Sequence, residues 1–159
     1  MCPVNQNIIK PFTDEIVQKL TIIFSSKKLN KSLAQNIAIT LGRLGLINPE
    51  AVAKHLDKIA KQWCVSLRYL KGKEDNDEKF QAYKGLCYTI GHNTTAITKE
   101  FPYFCSAIVH FKEPRPEMHL IFKKILHTFK NQLGEEYWRD YISKFPDDLK
   151  HNLMHRFEL

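Results

Sequence analysis

The sequence predicts an all-α protein in which antiparallel helix pairs stack into a solenoid. Three observations carry this. Apolar residues recur at helical spacing along most of the chain, and no stretch shows the apolar–polar alternation of a half-buried strand. The links alternate in kind: long and polar (SSKKLNK, KGKEDND, KEPRP), then tight and built on Gly or Asn (Gly45 to Asn48, Gly91 to Asn93, Gly134). Finally, Asn48-Pro-Glu-Ala-Val returns loosely as Asn93-Thr-Thr-Ala-Ile forty-five positions on, and Leu133-Gly134-Glu-Glu-Tyr is a weaker third echo.

The first helix is expected from about Gln6 to Phe24, with Ile8, Ile9, Phe12, Ile16, Leu20, Ile23 and Phe24 as its buried stripe. Next come two segments facing each other across Gly45-Leu46-Ile47-Asn48-Pro49. In the first, Leu33, Ala34, Ile37, Ala38, Leu41 and Leu44 share a face. In the second, Val52, Leu56, Ile59, Ala60, Trp63, Cys64 and Leu67 do. Gly45 is expected to end the first helix, since a residue without Cβ enters the left-handed cap conformation easily. Asn48 is a natural N-cap, and Pro49 suits the first helical position, where its missing N–H costs nothing. After an exposed charged loop, a helix over about 77–91 buries Phe80, Tyr83, Leu86, Cys87 and Ile90. The following helix, from about Thr94, carries Ile97, Phe101, Phe104, Cys105, Ile108, Val109 and Phe111, with a kink expected at Pro102. A helix over about 116–133 buries Met118, Ile121, Phe122, Ile125, Leu126, Phe129 and Leu133. Two shorter segments, parted by Pro146, close the chain.

A helix-pair unit of forty to forty-five residues marks HEAT or armadillo solenoids. A globular bundle would not require the alternation of link types. The predicted architecture is therefore a HEAT-type α-solenoid of about three to four repeats, right-handed in its stacking. Its helix pairs lie near 6–45, 48–91, 94–133 and 135–158, in one module over 1–159.

At 159 residues the chain suffices for one sizeable core. Its 43% hydrophobic and 26% charged residues are ordinary for a globular protein. No apolar run is long enough to span a membrane. No basic segment followed by an apolar core opens the chain, which favours cytosol or nucleus. Cys2, Cys64, Cys87 and Cys105 never form C-x-x-C and read as reduced thiols, three of them in apolar helical stretches. The +7 charge permits acidic partners without singling out nucleic acid. No phosphate-binding glycine loop, G-x-S-x-G or H-E-x-x-H occurs, so the expectation is a binding protein, not an enzyme, with no cofactor. His151 and His155 stand at i, i+4, but no further ligand completes a metal site. Trp63 and Trp138 read as core aromatics.

Gln35-Asn-Ile-Ala-Ile-Thr-Leu-Gly-Arg-Leu-Gly45, Pro49-Glu-x-Val52 and Trp63-Cys-x-Ser-Leu67 together resemble the C-terminal end of the transportins, HEAT-repeat nuclear import receptors of the importin-β (karyopherin) family. Lys124-Ile-Leu-His-x-Phe-Lys-Asn-Gln132, Gly134-Glu-x-x-Trp138-Arg139 and Phe145-Pro-x-x-Leu149-Lys150 extend the likeness. The resemblance implies binding of nuclear-localisation-signal cargo on the concave face and shuttling between cytoplasm and nucleus. Ran GTPase and nucleoporins are the family's other partners. Transportins are several times longer than this chain, and the Ran-binding half lies upstream. The chain would thus be a fragment, a truncated non-functional remnant, or a short paralogue, and alone it is expected to self-associate through Ile8, Phe12 and Ile16.

In such solenoids the second helix of each pair lines the concave side. Here those helices are about 31–44, 77–91 and 116–133. On the first, Ser32, Asn36, Ile39 and Arg43 lie opposite the apolar stripe. Ile39 is then a solvent-facing apolar residue, flanked by Asn36 and Arg43, which could bond an extended peptide; surface noise or packing on a neighbouring repeat is the alternative. The resemblance matches Ile39 to an apolar position that receives the hydrophobic part of a localisation signal. On the second helix, Gln81, Gly85 and Tyr88 face away from the stripe, and Tyr88 either walls a shallow pocket or packs on the next repeat. On the third, Lys123, Lys124, His127, Lys130 and Asn131 make a basic face suited to an acidic partner or phosphate, or simply to solvent. A basic helical-repeat protein binding nucleic acid through Lys123, Lys124 and Lys130, or acting as a scaffold, is the competing reading. The acidic link 74–78 reads as solvated, with contact to a basic cargo tail as the lesser alternative.

Overall fold

Side-chain amides set the helix starts, and they do so at intervals that repeat. Asn30, Asn48, Asn76 and Asn93 each accept a backbone N–H three residues on, from Leu33, Ala51, Lys79 and Ala96. Asn48 and Asn93 share one conformation, φ/ψ −149°/74° and −150°/74°. Each also donates its Nδ2 backwards, to the carbonyls of Lys10 and Ala53. The echo between the two sequences is thus a repeated structural joint.

The structure, a computed structural model, describes residues 7–70 and 76–159. Cys2, the expected helix start at Gln6 and most of the charged loop after Leu70 fall outside them. Among the described residues there is no β-strand element. A 3-10 turn, Lys10–Phe12, leads into α1 (Thr13–Phe24). Then follow α2 (Lys31–Ile47), α3 (Pro49–Ala53), α4 (Leu56–Arg68), α5 (Asp77–His92) and α6 (Thr94–Ile97). A second 3-10 turn, Thr98–Glu100, separates α6 from α7 (Phe101–His110). The chain closes with α8 (Pro116–Leu133), α9 (Glu135–Ser143) and α10 (Asp147–Phe157). Helices α1, α3–α4, α6–α7 and α10 pack in sequence as one layer. The second layer is the row α2, α5, α8. This is an all-α stack of HEAT type.

Two expectations about breaks are corrected. Gly45 does not end α2, which runs two residues further to an Asn48 cap. Its missing side chain serves packing instead: a Cβ there would stand 2.6 Å from the Gly85 oxygen. Pro102 does not kink a helix. It lies in the first turn of α7, after the 3-10 break, where its absent N–H is not needed.

The core runs the length of the stack. Leu41, Leu56, Ile59, Trp63, Tyr83, Leu86, Phe101, Phe104, Phe111 and Phe122 are fully buried. Its polar atoms are tied between layers. Trp63 Nε1–H donates to the Ala38 carbonyl at 3.0 Å, and the Tyr83 hydroxyl to that of Ala107 at 3.1 Å. Burial pushes the Cys64, Cys87 and Cys105 thiols well above their usual range, so they stay protonated and unreactive.

The stripe expected on α1 is corrected in part: Ile9, Ile16, Leu20 and Phe24 do pack on the core. Thr13, Val17, Thr21 and Phe24 face the stack, whereas Ile8, Ile23 and Phe12 (57% exposed) do not. Thr21 is tolerated inside because its hydroxyl donates to the Val17 carbonyl. Leu33, placed in the core from its spacing, is exposed as well. Helical periodicity marks an apolar face. It does not say which of two such faces finds a neighbour.

Candidate functional site

The row α2, α5, α8 is held with unequal spacing. Between α2 and α5 the backbones touch at Gly42, Gly45, Ala82 and Gly85. A Cβ added to Gly85 would sit 1.8 Å from the Gly42 oxygen. Thr89 donates its hydroxyl to the Gly85 carbonyl beside this contact. Between α5 and α8 large side chains meet instead, and the helices stand apart at the C-terminal end of α5.

That separation leaves an open cleft of about 520 Å³. Its floor is apolar, including Ile90, Ile97, Phe101, Ile125 and Phe129. Its rim carries Tyr88, His92, Lys124, Thr128 and Gln132. Phe101 and Phe129 stack at 3.6 Å between centroids, which gives the floor a rigid base. Among the described residues, no carboxylate lines the cleft.

Ion pairs cross the row at a regular offset. Arg43 on α2 meets Glu78 at the start of α5 at 3.1 Å, and Lys84 on α5 meets Glu117 at the start of α8 at 2.6 Å. The hydrogen bond to Glu117 raises the Lys84 pKa, with burial opposing it. Lys84 also lies over the rings of Phe80 and Tyr88, and Arg115 over Phe80 at 4.0 Å. Arg115 further pairs with Asp77. So Asp77 and Glu78, the described residues of the acidic link that carry charge, are engaged within the fold.

The predicted site residues separate. Asn36 is exposed on α2, and Arg43 lies beside it but is bonded to Glu78. Ile39 is not solvent-facing: it is 8% exposed and belongs to the core. An α-helix buries a face wide enough to include it once a second helix packs alongside. Gly85 is buried in the helix contact. Tyr88, 42% exposed, does stand at a cleft.

The basic face of α8 divides. Lys123 pairs with Glu158 at 2.6 Å and Lys130 with Glu135 at 3.0 Å. His127 Nε2 bonds the Phe157 carbonyl at 3.0 Å. These three point towards the C-terminal helices, at the i, i+4, i+7 spacing of one face. Lys124 lies about 100° away from Lys123 and enters the cleft. It has no carboxylate partner among the described residues. Lys124, Thr128 and Gln132 form a polar row at i, i+4, i+8 that the sequence displays; the floor beneath them is assembled from the consecutive helices α5 to α8, and no single stretch displays it.

Away from this face, the imidazoles of His151 and His155 stack at 5.9 Å on α10. Among the described residues no three His, Cys, Asp or Glu side chains are grouped to hold a metal, and no helix is long and apolar enough to cross a membrane.

No protein-family model matches the chain. Curated proteins do. Transportin-1 of Mus musculus and of Homo sapiens are each 37% identical over 145 residues, 91% of this chain. Over most of its own length the chain is thus a homologue of part of the transportins. Transportin of Dictyostelium discoideum is 29% identical over 95% of the chain, and importin subunit beta-2 of Schizosaccharomyces pombe 35% over 76%. The chain spans 16% of the length of the transportins and 12% of the fission-yeast protein.

Proposed function

We propose that this chain is a cargo-binding portion of a transportin-like nuclear import receptor, acting by binding and not by chemistry. It would meet an extended localisation-signal peptide on the row α2, α5, α8 and shuttle between cytoplasm and nucleus with its cargo. The observation that carries this is the 37% identity to transportin-1 across 91% of the chain. The exposed row supports it, because Asn36 and Tyr88 offer an amide and an aromatic wall to a peptide laid across the helices. Arg43 can serve only by leaving Glu78. Ile39 is the weakest of the proposed contacts, since a ligand would have to open the core to reach it. Contacts to Ran and nucleoporins belong, in this reading, mainly to the remainder of a longer receptor.

A fluorescence-polarisation titration of a labelled localisation-signal peptide tests the proposal. Saturable binding is expected, weakened by Asn36→Ala and Tyr88→Ala with unchanged circular dichroism. Ile39→Asp is a poor probe, because a carboxylate at a buried position destabilises the fold itself. Absence of saturable binding by the wild-type chain overturns the reading. Nucleic acid is not favoured, because carboxylates neutralise Lys123 and Lys130.

A further inference from the structure

We propose that the cleft between α5 and α8 binds a peptide segment that places an apolar side chain beside a carboxylate, with Lys124 as the partner of that charge. This rests on the receptor reading for the ligand being a peptide, and concerns a part of the row that a basic signal does not suit. Three features argue for it together. The cleft is concave and about 520 Å³, within the range of roughly 300–1,000 Å³ typical of ligand sites. Its floor of Ile97, Phe101, Ile125 and Phe129 is apolar, so an inserted apolar side chain exchanges water for hydrocarbon contact.

The third feature is charge. On α8, Lys123 and Lys130 are each neutralised by a glutamate, while Lys124 on the cleft rim has no carboxylate partner among the described residues. Every described lining residue is apolar, neutral-polar, Lys or His; none of them is acidic. A lysine above an apolar floor, with no acid among the described lining residues, favours an anion carried next to an apolar group and disfavours a basic one. Thr128 and Gln132, in line with Lys124 along α8, can bond the backbone of the segment as it leaves the cleft. The adjoining α2–α5 contact cannot provide this, since its glycines bring the backbones together and leave no groove.

Three fluorescein-labelled probes of one length test the inference: an acidic peptide carrying Leu-Phe between Asp residues, the same peptide with Leu-Phe replaced by Ser-Ser, and the same with Asp replaced by Lys. The wild-type chain should bind the first saturably and each of the others at least about tenfold more weakly. Lys124→Glu, at an exposed position, should keep its circular dichroism and exchange the order of the acidic and basic probes. Thr128→Trp, which fills the cleft, should abolish binding of both Leu-Phe probes. The acidic probe should weaken as salt is raised, since the pair lies at a solvent-accessible rim. Equal or tighter binding of the basic probe by the wild-type chain overturns the proposal, as does unchanged affinity in Lys124→Glu. So does a dimer in light scattering that Thr128→Trp dissociates, which would assign the cleft to a second copy. Competition by laurate with no peptide binding would assign it to an amphiphile and equally overturn it. Because a localisation-signal peptide is titrated separately, failure here leaves the receptor reading standing, whereas failure of all peptides removes both.

Discussion

Replacing Gly85 by alanine asks the α2–α5 contact for space it does not have. The new Cβ would lie 1.8 Å from the Gly42 oxygen and 2.8 Å from its Cα, against an ordinary contact of 3.4 Å or more. Both atoms are backbone in the middle of long helices, so no rotamer change relieves the clash and the helices must part. Parting them loosens the neighbouring Gly45–Gly85 and Gly42–Ala82 contacts as well. Overpacking of this kind costs typically 1–3 kcal/mol, and a rigid backbone obstacle places it near the upper end, ~3 kcal/mol. Alanine's better helix propensity returns ~1 kcal/mol. The net loss is ~2 kcal/mol, or a fall in Tm of roughly 4–8 °C for a chain of this size. Gly91→Ala is the control on the same helix, since nothing lies within 4 Å of its added Cβ. It should be neutral or gain up to ~1 kcal/mol. Urea unfolding followed by far-UV circular dichroism measures both, with tryptophan fluorescence as a second probe. Equal midpoints for the two variants, or a more stable Gly85→Ala, would refute the claim that backbone contact sets the spacing of this row.

Two further outcomes are expected. Asn93→Ala removes both the cap on Ala96 and the bond to the Ala53 carbonyl, and should cost ~1–3 kcal/mol in the same assay; Asn93→Asp keeps the accepting oxygen and loses only the backward bond, so it should cost less, and no loss at all in Asn93→Asp would deny the backward bond a role. His119, stacked on Phe157 at 5.0 Å, has its pKa lowered by burial and by the Arg156 and Lys123 cations, with Glu158 opposing. The fold therefore prefers the neutral ring: its contribution to stability is complete above the ordinary imidazole pKa and is lost as pH falls through and below that value. His119→Phe should flatten the pH dependence of stability between about pH 7 and 5, and an unchanged slope would count against it.

Much of this architecture was readable from local chemistry. Apolar spacing located the helices. Asn48 and Asn93 announced their own joints, because a cap is a bond between a side chain and a backbone three residues away, and a forty-five-residue echo of such a joint is a repeat. Relatedness to transportins was legible in the same way. The functional face was less so. Tyr88, opposite the stripe of α5, reads either as a pocket wall or as packing on the next repeat, and it stands at a cleft that Gly85 does not line, whereas Ile39, read as solvent-facing, is buried. One helical wheel shows a polar side and an apolar side, whereas α2 is covered by neighbours on more than one flank. Lys123, Lys124 and Lys130 looked alike as a run of charge. Their difference lies in what stands opposite: Lys130 meets Glu135 at the start of the next helix, and Lys123 meets Glu158, thirty-five positions on, which only folding brings near.

The sequence by itself determined the helices, their caps and their order, since each depends on residues a few positions apart. It also determined that Gly42, Gly45 and Gly85 carry no side chain. Only the tertiary structure decided what that meant. Small residues brought α2 and α5 into backbone contact, larger ones held α5 from α8, and the resulting gap over Phe101 and Phe129 is the cleft where Lys124 stands without a carboxylate partner among the described residues. Spacing between helices is a property of facing pairs, and no single stretch of chain contains both members.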